Sequence, residues 1–215
     1  MSPSRQCHIS ALPGVYNMKS DKGNGANVTV TENLLLGRAR TGDSRSFDQL
    51  FLRYYSRIYD VLFRLTGDAA EADDLAQETF IRLYRHPLPP GREHNVGGWL
   101  YRVAVNLGYN ALRAARRRTV YEQADDVRSP ADPEAVTAQH DERRRVRESL
   151  AELPAQQAQL LMLRYAGLSY QELAQALDVA PTSIGTLLAR AERAFEVRYR
   201  AAAGLEATGG DDAQE

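Results

Sequence analysis

Two stretches of the sequence carry side chains of the types that can handle nucleic acid, and a third would display carboxylates and an amide along one helix face. From Val96 to Arg118 the charged residues are all Arg, with no acid among them, and aromatic rings are interleaved. Guanidinium groups track a phosphate backbone, while aromatic rings stack unpaired bases at roughly 1 to 3 kcal/mol each. On a helix, Arg102, Asn106, Tyr109, Arg113 and Arg116 share one face. Leu100, Val103, Ala104, Leu107 and Ala111 form the opposite, inward stripe, with Trp99 near the edge between them. The preceding residues 87–98 are rich in Pro and Gly and carry Arg92, His94 and Asn95, a composition suited to a pocket for a flipped base. A solvated basic helix with Trp99 in the core fits the same spacing, and spacing alone leaves both open.

The second stretch is a helix-turn-helix. Ser169-Tyr170-Gln171-Glu172 is a capping box, in which the hydroxyl satisfies an early backbone N–H and the Glu reaches back, a gain of about 1 kcal/mol. Leu173, Ala174 and Leu177 face inward, residues 178–181 make a short turn, and Ile184, Leu187, Leu188, Ala191 and Phe195 give the next helix its buried stripe. The displayed face of that last helix holds Thr182, Thr186, Ala189, Arg190 and Arg193, which suits entry into a major groove. A plain helical hairpin is the competing account.

In the third stretch, Asp74, Gln77, Glu78, Ile81 and Arg85 fall on one helix face, with Ala72, Ala76, Phe80 and Leu83 opposite. Charged rim groups around an apolar residue can orient a basic partner surface, although a merely solvated face has the same spacing. The crowded carboxylates Glu71, Asp73, Asp74 and Glu78 do not make a metal site, for want of a His at helical spacing and of a second carboxylate helix. No nucleophile with a base, paired catalytic carboxylates or Gly-rich phosphate loop occurs, so neither an enzyme nor a bound cofactor is expected.

The elements that must position these groups are all helical. Residues 1–30, with Pro3, Pro13, Gly14 and Gly23, read as a flexible extension, within which Met18 is an alternative start. A short helix begins at Leu34. Ser46 caps a second helix running to about Leu65, with Phe47, Leu50, Phe51, Tyr54, Ile58, Val61 and Leu62 in its stripe, and Gly67 ends it. A third helix covers about Ala69 to Arg85 and a fourth about Val96 to Arg117. Residues 119–137 are acidic, contain Pro and lack a period, which marks a linker. Helices follow over about Pro133 to Leu153, Ala155 to Tyr165, Ser169 to Leu177 and Thr182 to Ala201, before a Gly-rich, acidic tail at 204–215 that is expected to be disordered. The expectation is an all-α chain of two small helical domains, 31–118 and 138–203.

A hydrophobic content of 43% supplies the core for this, while a formal net charge of -1 means that any nucleic-acid surface must come from local segregation of charge. The bases are nearly all Arg, which favours bidentate contacts but also fits a GC-rich genome. The single Cys7 and the lack of a signal peptide or a long apolar run point to a reducing cytoplasm and no membrane insertion.

Taken together, these residues resemble the sigma-70 family, in its extracytoplasmic-function group, over about Thr31 to Arg118 and Glu142 to Arg200. Asp73-Asp74-Leu75-Ala76-Gln77-Glu78-Thr79-Phe80-Ile81-Arg82-Leu83-Tyr84-Arg85 is similar to the family's polymerase-binding helix, and Trp99-Leu100-Tyr101-Arg102-Val103-Ala104-Val105-Asn106-Leu107 to its promoter-melting helix. Leu168-Ser169-Tyr170-Gln171-Glu172-Leu173-Ala174 with Ser183-Ile184-Gly185-Thr186 is similar to its −35-reading helix-turn-helix.

The resemblance implies that Asp74, Gln77, Glu78 and Ile81 dock on the clamp helices of the largest subunit of core RNA polymerase, with a further contact to the flap of the second-largest. It also implies that residues 87–98 and the fourth helix capture a flipped base of the −10 element, and that an anti-sigma factor controls the protein. Leu188 and Ala189 stand where the family commonly has Lys or Arg then Ser, and Glu192 is unusual near DNA, so an altered −35 preference is expected. The rival is a stand-alone dimeric helix-turn-helix regulator, which leaves the Asp74/Gln77/Glu78 face and the Trp99-to-Arg116 helix without a task.

Overall fold

The computed structural model describes residues 25–85, 95–124 and 138–204, with side chains over 31–85, 95–119 and 139–204. Among these residues eight α-helices follow one another: α1 (Gly25–Arg40), α2 (Ser44–Thr66), α3 (Ala69–Arg85), α4 (Val96–Ala124), α5 (Ala138–Ala151), α6 (Ala155–Tyr165), α7 (Tyr170–Leu177) and α8 (Ile184–Ala202). No strand occurs among the described residues. The expected linker beyond 124, the tail beyond 204 and the extension before 25 lie outside them.

Helix α2 is the spine of the N-terminal half. Leu50, Tyr54, Ile58, Leu62 and Leu65 recur at three-and-four spacing and are buried. Its start differs from the expectation: Asp43, not Ser46, is the N-cap, because its backbone is extended and its carboxylate accepts from the Arg45 N–H at 3.1 Å. Ser46 is buried one turn in and donates its hydroxyl to that carboxylate at 2.7 Å. The helix stops at Gly67, which takes φ 76 and bonds back to the Phe63 carbonyl. Helix α3 lays Ala72, Ala76, Phe80 and Leu83 on this spine, with the Phe80 ring 4.8 Å from that of Phe51.

Two more boundaries differ. Helix α1 begins at Gly25, so residues 25–30, expected to be extension, are helical. Helix α4 runs through Ala124, past the expected end near Arg117 and into the stretch read as linker.

In the C-terminal half, Leu160, Leu161 and Leu163 of α6 are buried against Ile184, Leu188, Ala191 and Phe195 of α8 in the common core. The capping box at Ser169 is present with both of its hydrogen bonds. After α7, Asp178 takes φ 55, a left-handed conformation that Asp tolerates, and the Val179 N–H returns to the Ala174 carbonyl at 3.0 Å. That bond sets the tight turn of the helix-turn-helix. The last helix is preceded by a 3₁₀ turn, Pro181–Ser183, so Thr182 and Ser183 stand just ahead of α8 and not within it.

Helix α4 joins the halves. It packs on α2 and α3 from one side and on α5, α6 and α7 from another. Its buried arc is therefore wider than a single amphipathic stripe and turned from the expected one: Leu100, Tyr101, Ala104, Val105, Tyr109 and Leu112 are buried, whereas Val103, Leu107 and Ala111 are only partly so.

Candidate nucleic-acid interface

On α3 the structure displays the expected face. Asp74 and Gln77 are exposed, Ile81 is 40% exposed, and Glu78 pairs with Arg82 one turn on at 2.8 Å. Beneath them Asp73 organises the surface, accepting from the Gln77 amide at 2.8 Å and from the Tyr55 hydroxyl. Burial first, and then the bond to Asp73, push the Tyr55 phenol up to about 12, so it stays protonated as a donor. Tyr84 at 71% and Leu52 on α2 at 77% are the most exposed large apolar side chains of this half among the described residues. Neither was singled out from sequence, because one exposed apolar side chain has no period to reveal it.

The α4 surface is only partly free. Asn95 is the N-cap of the helix: its side-chain oxygen accepts from the Gly98 N–H at 2.7 Å and its carbonyl from the Trp99 N–H at 2.9 Å. Its amide reaches Gln175 of α7 at 3.3 Å. Trp99 is half-buried at the start of the helix, and Arg102 and Arg113 are exposed, with Asn106 partly so.

Tyr109 departs from the expected displayed face. It is 2% exposed and donates its hydroxyl to the Leu153 carbonyl at 2.6 Å, because it lies on the arc that the C-terminal half covers. Arg113 stacks over its ring with the guanidinium 5.8 Å from the centroid, and Arg116 pairs with Glu152 at 2.6 Å. Arg92 and His94 lie outside the described residues.

The helix-turn-helix presents its groups as a set. Thr182, Ser183, Thr186, Arg190 and Arg193 are exposed, and Ala189 is half-buried. Neither Arg190 nor Arg193 has a carboxylate partner among the described residues, which leaves both guanidinium groups available to phosphates or base edges. Leu188 is 4% exposed and belongs to the core, so it lies off the displayed surface, whereas Glu192 sits half-buried between the two arginines in sequence. Among the described residues no cluster of His, Cys, Asp or Glu could hold a metal ion, and no helix is long and apolar enough to cross a membrane.

These surfaces coincide with two family models. Sigma-70 region 2 matches residues 50–118, and sigma-70 region 4 matches residues 143–195. The RNA polymerase sigma-H factor of Pseudomonas aeruginosa is 32% identical over 174 residues, 75% of this chain and 89% of that relative. The ECF RNA polymerase sigma factor SigE of Mycolicibacterium smegmatis is 34% identical over 163 residues, 71% of this chain and 61% of that longer relative. Among solved structures, CnrH in complex with the cytosolic domain of CnrY shares the fold, with a TM-score of 0.54 at 19% identity, over 82% of this chain and 99% of that one.

Proposed function

The chain belongs to the sigma-70 family of RNA polymerase sigma factors, in its extracytoplasmic-function group, and on that premise we propose a division of labour among its helices. The α3 face of Asp74, Gln77, Glu78 and Ile81 docks on the clamp helices of the polymerase's largest subunit, with the exposed Tyr84 and Leu52 adding apolar area. The C-terminal half contacts the flap of the second-largest subunit. Arg102, Arg113 and Arg116, with Trp99, Asn106, Tyr109 and the segment that includes Arg92, His94 and Asn95, hold melted −10 DNA. Thr182, Ser183, Thr186, Ala189, Arg190 and Arg193 read or grip the −35 element.

The observation that carries this reading is that the two family matches fall, in order, on the two halves bearing the two sets of arginines. A stand-alone dimeric regulator accounts for the second half only. Because α5 to α7 cover Tyr109 and engage Arg116, the C-terminal half must leave α4 before both can face DNA, and binding to core polymerase supplies that separation. An anti-sigma factor that covers the α3 face and holds the halves together is the regulator that fits, acting in the cytoplasm, and the chain contributes no catalytic group or cofactor.

Sizing chromatography with purified core polymerase, followed by footprinting, tests the proposal. Co-elution with core, and protection of two separated patches upstream of a start site, is the expected result. Elution as a free dimer that protects a palindrome without core would replace it with the regulator reading.

A further inference from the structure

A buried carboxylate stands beneath the N-terminal end of α4. Glu32 of α1 is 2% exposed, and one of its oxygens accepts both the Tyr54 hydroxyl and the Arg53 guanidinium, the latter at 3.2 Å. Tyr54 is itself buried on α2, and its ring meets that of Tyr101 edge-on at 6.4 Å. Above the phenol lies the backbone of Gly97, in the first turn of α4: a Cβ there would stand 2.6 Å from the phenolic oxygen. Only glycine lets the helix rest directly on the hydroxyl, and the hydroxyl is held by Glu32.

A carboxylate is a costly way to fasten α1 to α2. Burying it requires full pairing, and an apolar side chain of similar volume would often serve stability as well or better. What the polar contact adds is direction. The Glu32 oxygen fixes where the Tyr54 hydroxyl sits, and the hydroxyl fixes the height at which Gly97 crosses α2. Asn95, Gly98 and Trp99 are tied into the same turn by the cap, so they inherit that height.

We propose that Glu32, acting through Tyr54, is a positioning residue for promoter opening, setting the placement of the first turn of α4 and of Trp99 against the DNA. The inference rests on the reading that this end of α4 holds melted −10 DNA. It gives a task to α1, whose Glu32 lies outside the region 2 match that begins at residue 50. Glu32 need not touch DNA.

The test uses holoenzyme formed from core polymerase and the full chain, on a promoter where the wild-type protein starts transcription, with 2-aminopurine in the −10 strand reporting opening. Tyr54→Phe removes the hydroxyl and keeps the ring. The double variant Glu32→Met/Tyr54→Phe also removes the buried charge and leaves no buried polar group orphaned, since the Arg53 guanidinium that loses its partner is exposed to solvent, which guards against a simple folding defect. The expected result for both is unchanged core affinity and opening of duplex promoter slowed by about tenfold, the ratio one charge-assisted hydrogen bond is worth. On a template already unpaired over the −10 element, the variants should match wild type.

Wild-type opening rates for the double variant on duplex would overturn the inference and leave the contact a staple between helices. A defect of the same size on both templates would also overturn it. Failure of the wild-type holoenzyme to open any promoter would instead remove the parent reading, and this inference with it.

Discussion

Tyr109 of α4 donates its hydroxyl to the Leu153 carbonyl at 2.6 Å, and one residue away Glu152 pairs with Arg116 at 2.6 Å. Helix α4, the proposed −10 DNA helix, is thereby fastened to the segment between α5 and α6. The Tyr109 bond is buried and the ion pair is half exposed, so the first should contribute about 1 kcal/mol and the second less, with the second weakened by salt. Arg198 of α8 adds a bond to the Glu152 carbonyl at 3.2 Å, which ties the last helix into the same junction.

Loosening that junction should spread the two halves of the free protein. Tyr109→Phe combined with Glu152→Ala is expected to raise the radius of gyration in small-angle scattering and to increase binding of single-stranded −10 oligonucleotide by the isolated chain. Unchanged scattering would mean that apolar packing along α4 alone sets the arrangement.

Asp74→Ala with Glu78→Ala should weaken binding to core polymerase by about tenfold or more, since in the proposed docking both charges lie at the interface rim and orient a basic partner. Both side chains are exposed enough that the thermal midpoint should stay where it is. Core affinity measured by fluorescence anisotropy checks this, and an unaltered value would move the docking face elsewhere.

Arg190→Ala with Arg193→Ala should lower the affinity for −35 duplex and reduce the slope of log K against log salt by about 1 to 2, roughly one unit for each phosphate that is no longer neutralised. A titration at several salt concentrations reads the slope directly. Weaker binding at constant slope would assign the two arginines to bases and not to the backbone.

Alkaline pH should destabilise the fold through Tyr54. Burial first, and then the bond to Glu32, raise its phenol far above the ordinary value, so the folded state holds a proton that the unfolded chain releases. The contribution is fully present below the unfolded phenol value of about 10 and is lost as pH rises through it toward the folded value. Urea unfolding at about pH 8 and about pH 11 should show a steep loss for the wild type and a smaller one for Tyr54→Phe. Equal losses would place the alkaline sensitivity in other groups.

Much of this architecture was legible because its signals are local. The stripe of α2, the alternation of Ala72, Ala76 and Phe80 with acids on α3, and the Ser169–Glu172 box each reside within one helix, and the structure contains each of them. What depends on distant segments was hidden. Tyr109 reads the same whether its ring stacks on a base or its hydroxyl finds a carbonyl 44 residues on, because an aromatic ring with a polar tip suits both. The second buried face of α4 follows from α5 to α7 folding back on it, which no period within α4 records.

Glu32 was missed for a similar reason: a single acid in a weakly patterned helix looks solvated until its partner 22 residues away is seen. At the start of α2, Asp43 and Ser46 are both capping types, and only the extended backbone at Asp43 distinguishes them.

As a sigma factor, this chain confers promoter choice on core polymerase. In vitro transcription on a library of upstream genomic fragments, with and without the protein, tests it most directly. Discrete start sites that appear only when the chain is added, each preceded by shared −10 and −35 sequences, are the expected result. An identical set of transcripts in both reactions, with no association between the chain and core, would contradict it.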